Sequence, residues 1–246
     1  MGKFYPGDYH DGRDGASYLE RYSYQYEYIK NLKFDAVLDV GCARGDWLDF
    51  LQAQRPEIEL HGVDAFSSCV KNPAIHFYPC ALDNAELPDS YFNLVTSWAV
   101  LEHVHAPGKY FEIVSKVLKP GGKFVFLVTN SDSIYGKYAY KEDVPRHLYH
   151  FNERSLRDYA KKYSLVLDEI NYDESFWDGS GRGALYHYFR RVLSISWQEL
   201  KFKKLSLLAR ACLRASTVLD RIVFSVKWEA KLKRSGIIVA KMSKVS

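Results

Sequence analysis

Three short stretches of this chain carry residue types that could do chemistry, and the first is Asp39-Val40-Gly41-Cys42-Ala43-Arg44-Gly45. It follows an apolar run, Ala36–Val40, and precedes a helical pattern that begins near Asp46. A chain turning from strand to helix over small residues lets a ligand touch the backbone, whose amides at the helix start point outward. Two ligand classes use such a loop: dinucleotides, and adenosine-containing cofactors without a pyrophosphate. The dinucleotide fingerprint asks for G-x-G-x-x-G. Here Ala43 takes the second glycine position and Gly45 comes one residue early. Asp39 would also meet a pyrophosphate with like charge, whereas an acid there suits the ammonium group of an amino-acid moiety. Asp64 closes the next apolar run nineteen residues beyond Gly45, where it can accept from ribose hydroxyls.

The other two stretches hold histidines. Glu102-His103 lies just after the run Phe92–Trp98, and Pro145-Arg146-His147-Leu148-Tyr149-His150-Phe151 lies after the run Phe124–Val128. Imidazole is the side chain best matched to take a proton near neutral pH, so His103, His147 and His150 are candidate general bases. Each has an alternative: His103 can shape a pocket, and His147 or His150 can be a hydrogen-bonding residue that orients its own loop.

The elements that must position these residues alternate regularly. Apolar runs at Ala36–Val40, Ile58–Val63, Ile75–Tyr78, Phe92–Trp98, Phe124–Val128 and Leu165–Ile170 read as strands. Helical patterns at Asp46–Gln54, Pro107–Leu118 and Glu153–Lys162 separate several of them, the arrangement of βαβ units on a parallel sheet. Lys119-Pro120-Gly121-Gly122 reads as a turn, and Asn152 as a helix N-cap. A helix over Asp14–Leu32 precedes them, with Tyr18, Tyr22 and Tyr26 on one face, either packed on the body or closing over a ligand. Trp47 reads as core.

With these elements in place, the sequence resembles the class I S-adenosylmethionine-dependent methyltransferases. Asp39–Gly45 matches their acid-x-G-x-G-x-G motif with Ala43 for the middle glycine, and Val63-Asp64 matches the second-strand acid. Leu82-Asp83-Asn84-Ala85-Glu86-Leu87-Pro88 is similar to the G-D-A-x-x-L-P stretch, and Phe92-Asn93-Leu94-Val95 to F-D-L-V with Asn93 for Asp. Val100–Val104 repeats L-E-H-V, and Val117–Gly122 repeats L-K-P-G-G. The likeness covers residues 34 to 170.

The resemblance implies an α/β fold, a doubly wound seven-stranded Rossmann-like sheet with a helical insertion before an antiparallel last strand at Ile237–Lys241. It implies S-adenosyl-L-methionine as cofactor. Asp39, Gly41, Cys42, Ala43, Gly45, Asp64, Ala65, Asp83, Asn84 and Trp98 would line its site, with Arg21 or Arg44 for its carboxylate. It implies in-line transfer of the sulfonium methyl, the protein positioning the acceptor and excluding water. The H-x-x-H-F segment is similar to bacterial methyltransferases of surface-polysaccharide pathways, which suggests O-methylation of a sugar, glycan or other small hydroxylated acceptor. A quinone or lipid-soluble phenol is the alternative acceptor, and a non-catalytic binding subunit the alternative from another class.

The implied organisation is an arm and helix over 1–33, a methyltransferase core over 34–172, a basic insertion over 173–235 and a final strand over 236–246. Charge supports that division. Residues 185–234 hold twelve Lys or Arg against Glu199, Asp220 and Glu229, a net of +9, so a chain of net +4 has a remainder of +4 minus +9, or −5. Leu205, Leu208, Cys212, Ser216, Leu219, Val223 and Val226 recur at helical steps with Lys203, Arg210, Arg214 and Arg221 opposite, an amphipathic helix of about six turns. Its stripe would pack on the body or in a homodimer, or enter a membrane interface with the basic residues on anionic lipid. Nucleic acid is a poor fit, because the remainder of the chain is acidic. Cys42, Cys69, Cys80 and Cys212 form no C-x-x-C pair, which argues against a zinc site and a disulfide framework. With no signal peptide or membrane span in the pattern, the expectation is a cytoplasmic protein, at most peripheral at the inner membrane face.

Overall fold

The structure, a computed structural model, describes residues 16–65, 70–134, 136, 146–176, 183–195 and 205–245. The expected arm over 1–13, Cys69, loop residues 137–145, and Trp197, Phe202 and Lys203 of the insertion lie outside the described residues.

Seven strands form one sheet in the order β3-β2-β1-β4-β5-β7-β6. They are β1 (Ala36–Val40), β2 (Glu59–Val63), β3 (Ile75–Tyr78), β4 (Phe92–Trp98), β5 (Leu118–Thr129), β6 (Leu165–Asn171) and β7 (Ile237–Lys244). All pairings among β1 to β5 are parallel, while β7 runs antiparallel to both β5 and β6. This is the doubly wound methyltransferase sheet that the motifs imply. The chain winds outward from β1 to β3, then returns to place β4 on the other side of β1. That reversal opens a crevice at the carboxyl ends of β1 and β4, the place where such sheets bind ligands.

Period-two alternation between two buried faces explains why β5 is apolar from Phe124 to Val128. Phe124, Phe126 and Val128 face one core layer with Phe111 and Phe151, while Val125 and Leu127 face the other with Leu48 and Leu51. The second layer is closed by α1 (Ala16–Ile29) and α2 (Asp46–Gln54), and the first by α3 (Pro107–Val117) and α4 (Glu153–Lys162). The helix expected over Asp14–Leu32 is thus observed to end at Ile29. Tyr22 lies 5.9 Å from Trp47 and 5.8 Å from Phe50, and Tyr26 lies 6.3 Å from Phe50, so these tyrosines pack on the body.

Lys119–Gly122 belongs to the span of β5, yet it still turns as expected. Phe92 pairs with Leu118 and Leu94 with Lys123, so Lys119–Gly122 bulge opposite Asn93 alone, with Gly121 at φ 75°. Asn93 Oδ1 accepts from the amides of Asp35 and Ala36 at 3.3 Å each and from Lys119 Nζ at 3.4 Å. An amide oxygen therefore suffices where the family motif has a carboxylate.

Among the described residues the segment before β7 holds three helices: α5 (Ala184–Val192), α6 (Leu207–Val223) and α7 (Trp228–Lys231). The basic helix α6 is 17 residues long, about five turns rather than six. Its buried positions are Leu213, Ser216 and Asp220, so of the expected apolar stripe Ser216 is buried while Leu208, Leu219 and Val223 are exposed. Asp220 decides this orientation. Its carboxylate accepts from the amides of Leu185 at 2.9 Å and Tyr186 at 3.0 Å, satisfying the amino end of α5, which no side chain of its own caps.

Candidate functional site

The loop after β1 is built by backbone conformations that its sequence selects. Gly41 and Gly45 sit at φ 78° and 88°, in the left-handed region. A Cβ on Gly41 would lie 2.3 Å from Val100 Cγ2, so both backbone angle and space require glycine. Gly41 N donates to the Val63 carbonyl at 2.8 Å, pinning the end of β1 to the end of β2. Ala43 also adopts φ 50°, and its amide donates to Asp64 Oδ2 at 2.9 Å. The methyl that replaces the motif's middle glycine is accommodated because Asp64 holds the strained turn.

Asp39 is only 3% exposed, and its Oδ1 accepts from Thr96 Oγ1 of β4 at 2.6 Å. Burial pushes its pKa up to about 7, the Thr96 hydrogen bond opposes that shift, and Asp64 adds to it. A carboxylate held this way at a crevice favours a cationic partner. Thr96 belongs to no sequence motif and is identified only by the β1–β4 register, where it pairs with Asp39.

Neighbouring elements complete the walls. Trp47 and Trp98 meet edge to face at 5.7 Å, and both indole N–H groups are buried without a hydrogen-bond acceptor among the described residues. Arg21 on α1 is buried, with its guanidinium carbon 4.6 Å from the centre of the Tyr18 ring. Burial and the Asp46 carboxylate push the adjacent Tyr22 hydroxyl up to about 12, Arg21 opposing and Asp39 adding to the shift. Arg21 therefore belongs to the electrostatic neighbourhood of the loop, and Arg44 turns to Asp46 at 3.3 Å. Asp83 and Asn84 lie in a short 3-10 turn, Leu82–Asn84, exposed like Ala65. The Tyr110 hydroxyl of α3, raised by burial, is raised further by Asp83 and Asp64, which puts both acids on one side of the molecule. Cys42 is buried, its thiol pushed up by burial and by Asp39 and Asp64, so it serves packing rather than reactivity.

The histidine stretches converge. The Glu102 carbonyl accepts from the amides of Leu148 at 2.7 Å and Tyr149 at 3.2 Å. Ser131 N donates to the Phe151 carbonyl at 2.7 Å, so residues 148–151 run along the carboxyl ends of β4 and β5. His103 and His147 rings are 4.5 Å apart, His147 and His150 are 6.0 Å apart, and Thr129 Oγ1 lies 3.4 Å from His150 Nδ1. His103 Nδ1 donates to the Arg146 carbonyl at 3.1 Å, which assigns the proton to Nδ1 and the lone pair to Nε2 in the neutral ring. His147, also a candidate base, sits between the other two rings. Burial, then His103, Arg146 and His150, push its pKa down to about 3, so it stays neutral and accepts a proton poorly.

Two sets of three side chains bring metal-capable atoms within 4.8 Å among the described residues: Glu102, His103 and His147 here, and Glu59, His61 and His76 elsewhere. The second set lies at the opposite end of β2 and is internally hydrogen-bonded. Glu59 accepts from His61 Nε2 at 2.7 Å and from the Tyr91 hydroxyl at 2.6 Å.

The sheet order, with a glycine turn that leaves no room for a Cβ after β1 and acids at the ends of β1 and β2, is that of the class I S-adenosylmethionine-dependent methyltransferases. The chain belongs to the methyltransferase-domain family, whose model matches residues 15–170. Among curated proteins it is 29% identical over 135 residues to the ubiquinone biosynthesis O-methyltransferase of Azoarcus sp. (strain BH72). That alignment covers 51% of this chain and 56% of the relative, so little more than half of the relative's length is matched. It is 28% identical to the demethylmenaquinone methyltransferase of Geobacillus sp. (strain WCH70), over 63% of this chain and 68% of that one. Burkholderia thailandensis 1,6-didemethyltoxoflavin-N1-methyltransferase, solved with 1,6-didemethyltoxoflavin and S-adenosylhomocysteine, shares the fold. Its TM-score is 0.57 at 16% identity, over 99% of this chain and 87% of that one.

Proposed function

We propose that the protein methylates a hydroxyl oxygen of a small acceptor, with S-adenosylmethionine held at the β1–β4 crevice. The observation that carries this reading is the run of imidazoles His103, His147 and His150 beside that crevice, one of them in hydrogen-bond range of Thr129. When bound, the cofactor supplies an electrophilic methyl, so the protein's work is positioning and proton removal. Asp39 receives the ammonium group, the Gly41–Gly45 backbone lies against the amino-acid moiety, and Asp64 accepts from the ribose. Asp83 and the Asn84 amide read the adenine, and Arg21 faces the carboxylate. Cys42, Ala43, Ala65 and Trp98 complete the wall. His150 takes the acceptor's proton, His147 remains a neutral spacer between the other two rings, and His103 borders the acceptor.

Two acceptor classes share this chemistry. A sugar or glycan hydroxyl is suggested by the resemblance of the His147–Phe151 loop. A quinol or other lipid-soluble phenol met at a membrane surface is favoured by the curated relatives' names and by the exposed apolar face of α6. The test is methyl incorporation from labelled S-adenosylmethionine into a panel of quinols, phenols and glycans, by wild type and His150→Ala. The expected loss in the variant is about 10²- to 10⁴-fold in turnover, with unchanged cofactor affinity. Near-normal turnover in His150→Ala would remove the assigned base.

A further inference from the structure

Helix α6 turns its widest apolar face away from the protein. At about 100° per residue, Leu207, Val218, Ile222, Leu208, Leu219 and Val223 fill an arc of about 160°. Leu207 is 84% exposed, Leu208 80% and Ile222 63%. The contact with the body uses a different and narrow strip, Leu213, Ser216 and Asp220, and Asp220 is engaged by the amino end of α5. Scattered exposed leucines need no explanation, but an apolar face continuous along a helix about 26 Å long does.

The charges around this face have one sign. Arg210, Arg214 and Arg221 line one border of the apolar arc within about 40° of each other. Across residues 205–234 every exposed charged side chain is basic, because the acids in that span, Asp220 and Glu229, are both buried. The occupant of the face must therefore be apolar beneath an anionic rim. Antiparallel pairing of two copies through this face would set both arginine rows on the same side of the seam, where they repel. No helix among the described residues is long and apolar enough to cross a membrane. A helix that is apolar on one broad side, arginine-edged and anchored by its back lies in an interface plane rather than spanning it.

We propose that α6 is a membrane-docking helix, its Leu207–Val223 apolar face seated among the headgroups of an anionic bilayer with Arg214 and Arg221 on lipid phosphates. The surface serves the lipid-soluble acceptor of the second reading above. Its test is read without turnover, so failure of that reading leaves it standing.

The test is flotation of the full chain with vesicles of phosphatidylethanolamine and phosphatidylglycerol, and with neutral phosphatidylcholine vesicles, at low and high salt. Wild type is expected to float with the anionic vesicles, to be released by salt and to stay behind with neutral ones. Arg214→Gln and Arg221→Gln should each lower the partition coefficient about fivefold. Leu208→Glu with Ile222→Glu should abolish binding, with an unchanged melting temperature because both positions are exposed. S-adenosylhomocysteine affinity should stay at the wild-type value in all variants, which keeps this result separate from the methyltransferase reading. Absence of wild-type flotation at low salt overturns the proposal. So does a dimer in sedimentation that the Leu208→Glu, Ile222→Glu pair dissociates, since a second copy would then cover the face.

Discussion

Asp39 ties cofactor affinity to pH in a way that can be worked from its surroundings. Its pKa in the folded protein stands at about 7 against 3.8 for an unburied aspartate, because burial outweighs the Thr96 hydrogen bond. At pH 6 only about one molecule in ten carries the carboxylate that an ammonium group requires. S-adenosylmethionine affinity should therefore weaken about tenfold per pH unit below roughly pH 6.5 and level off above pH 8, with close to one proton released per cofactor bound at pH 6. Titration calorimetry in two buffers of different ionisation enthalpy counts that proton. The same shift acts on stability. A raised folded-state pKa means that this group favours the fold most below about pH 4, and that this stability is lost as pH rises through about 7. The difference is at most about 4 kcal/mol. Asp39→Asn should accordingly raise stability at pH 8 by up to that amount and change it little at pH 4. It should also weaken cofactor binding at pH 8 and abolish its pH dependence. Affinity that is flat from pH 6 to pH 8 in the wild type would refute the assignment, as would an Asn variant no more stable than wild type at pH 8.

Other outcomes follow from single contacts. Gly41→Ala forces a Cβ within 2.3 Å of Val100 Cγ2 at a left-handed φ, so it should lower the melting temperature and cofactor affinity together. Adding Val100→Ala should restore part of both. Asn152 accepts from Ser155 N at 2.9 Å while Ser155 Oγ accepts from Asn152 N at 3.0 Å, and Asn152→Ala should cost about 1 kcal/mol in chemical denaturation. His147 is neutral from pH 5 to pH 8, so His147→Asn should leave the midpoint of the pH–rate profile in place. A displaced midpoint would return His147 to the proton pathway.

Most of the sheet was legible because strand and helix carry different periods, and the bounds of Asp46–Gln54 and Glu153–Lys162 coincide with those expected. The loop after β1 was legible because few residues tolerate its backbone angles. Two kinds of information were not. Thr96 meets Asp39 only through strand register, a long-range property with no local signature. The orientation of α6 was left open between packing and an outward-facing stripe, because a broad apolar arc suits either. Asp220, a single acid in a basic helix, overrides that pattern by capping α5, and the apolar residues are left facing outward. The pKa of His147 likewise depends on burial first and then on His103, which the fold brings to it from a separate segment.

Isothermal titration of the full chain at pH 8 with S-adenosylmethionine, and with its demethylated product, measures the β1–β4 crevice directly. One cofactor per chain should bind, with the product competing for the same site and Gly41→Ala losing both. No binding heat with millimolar ligand would contradict the assignment of this crevice as a methyl-donor site.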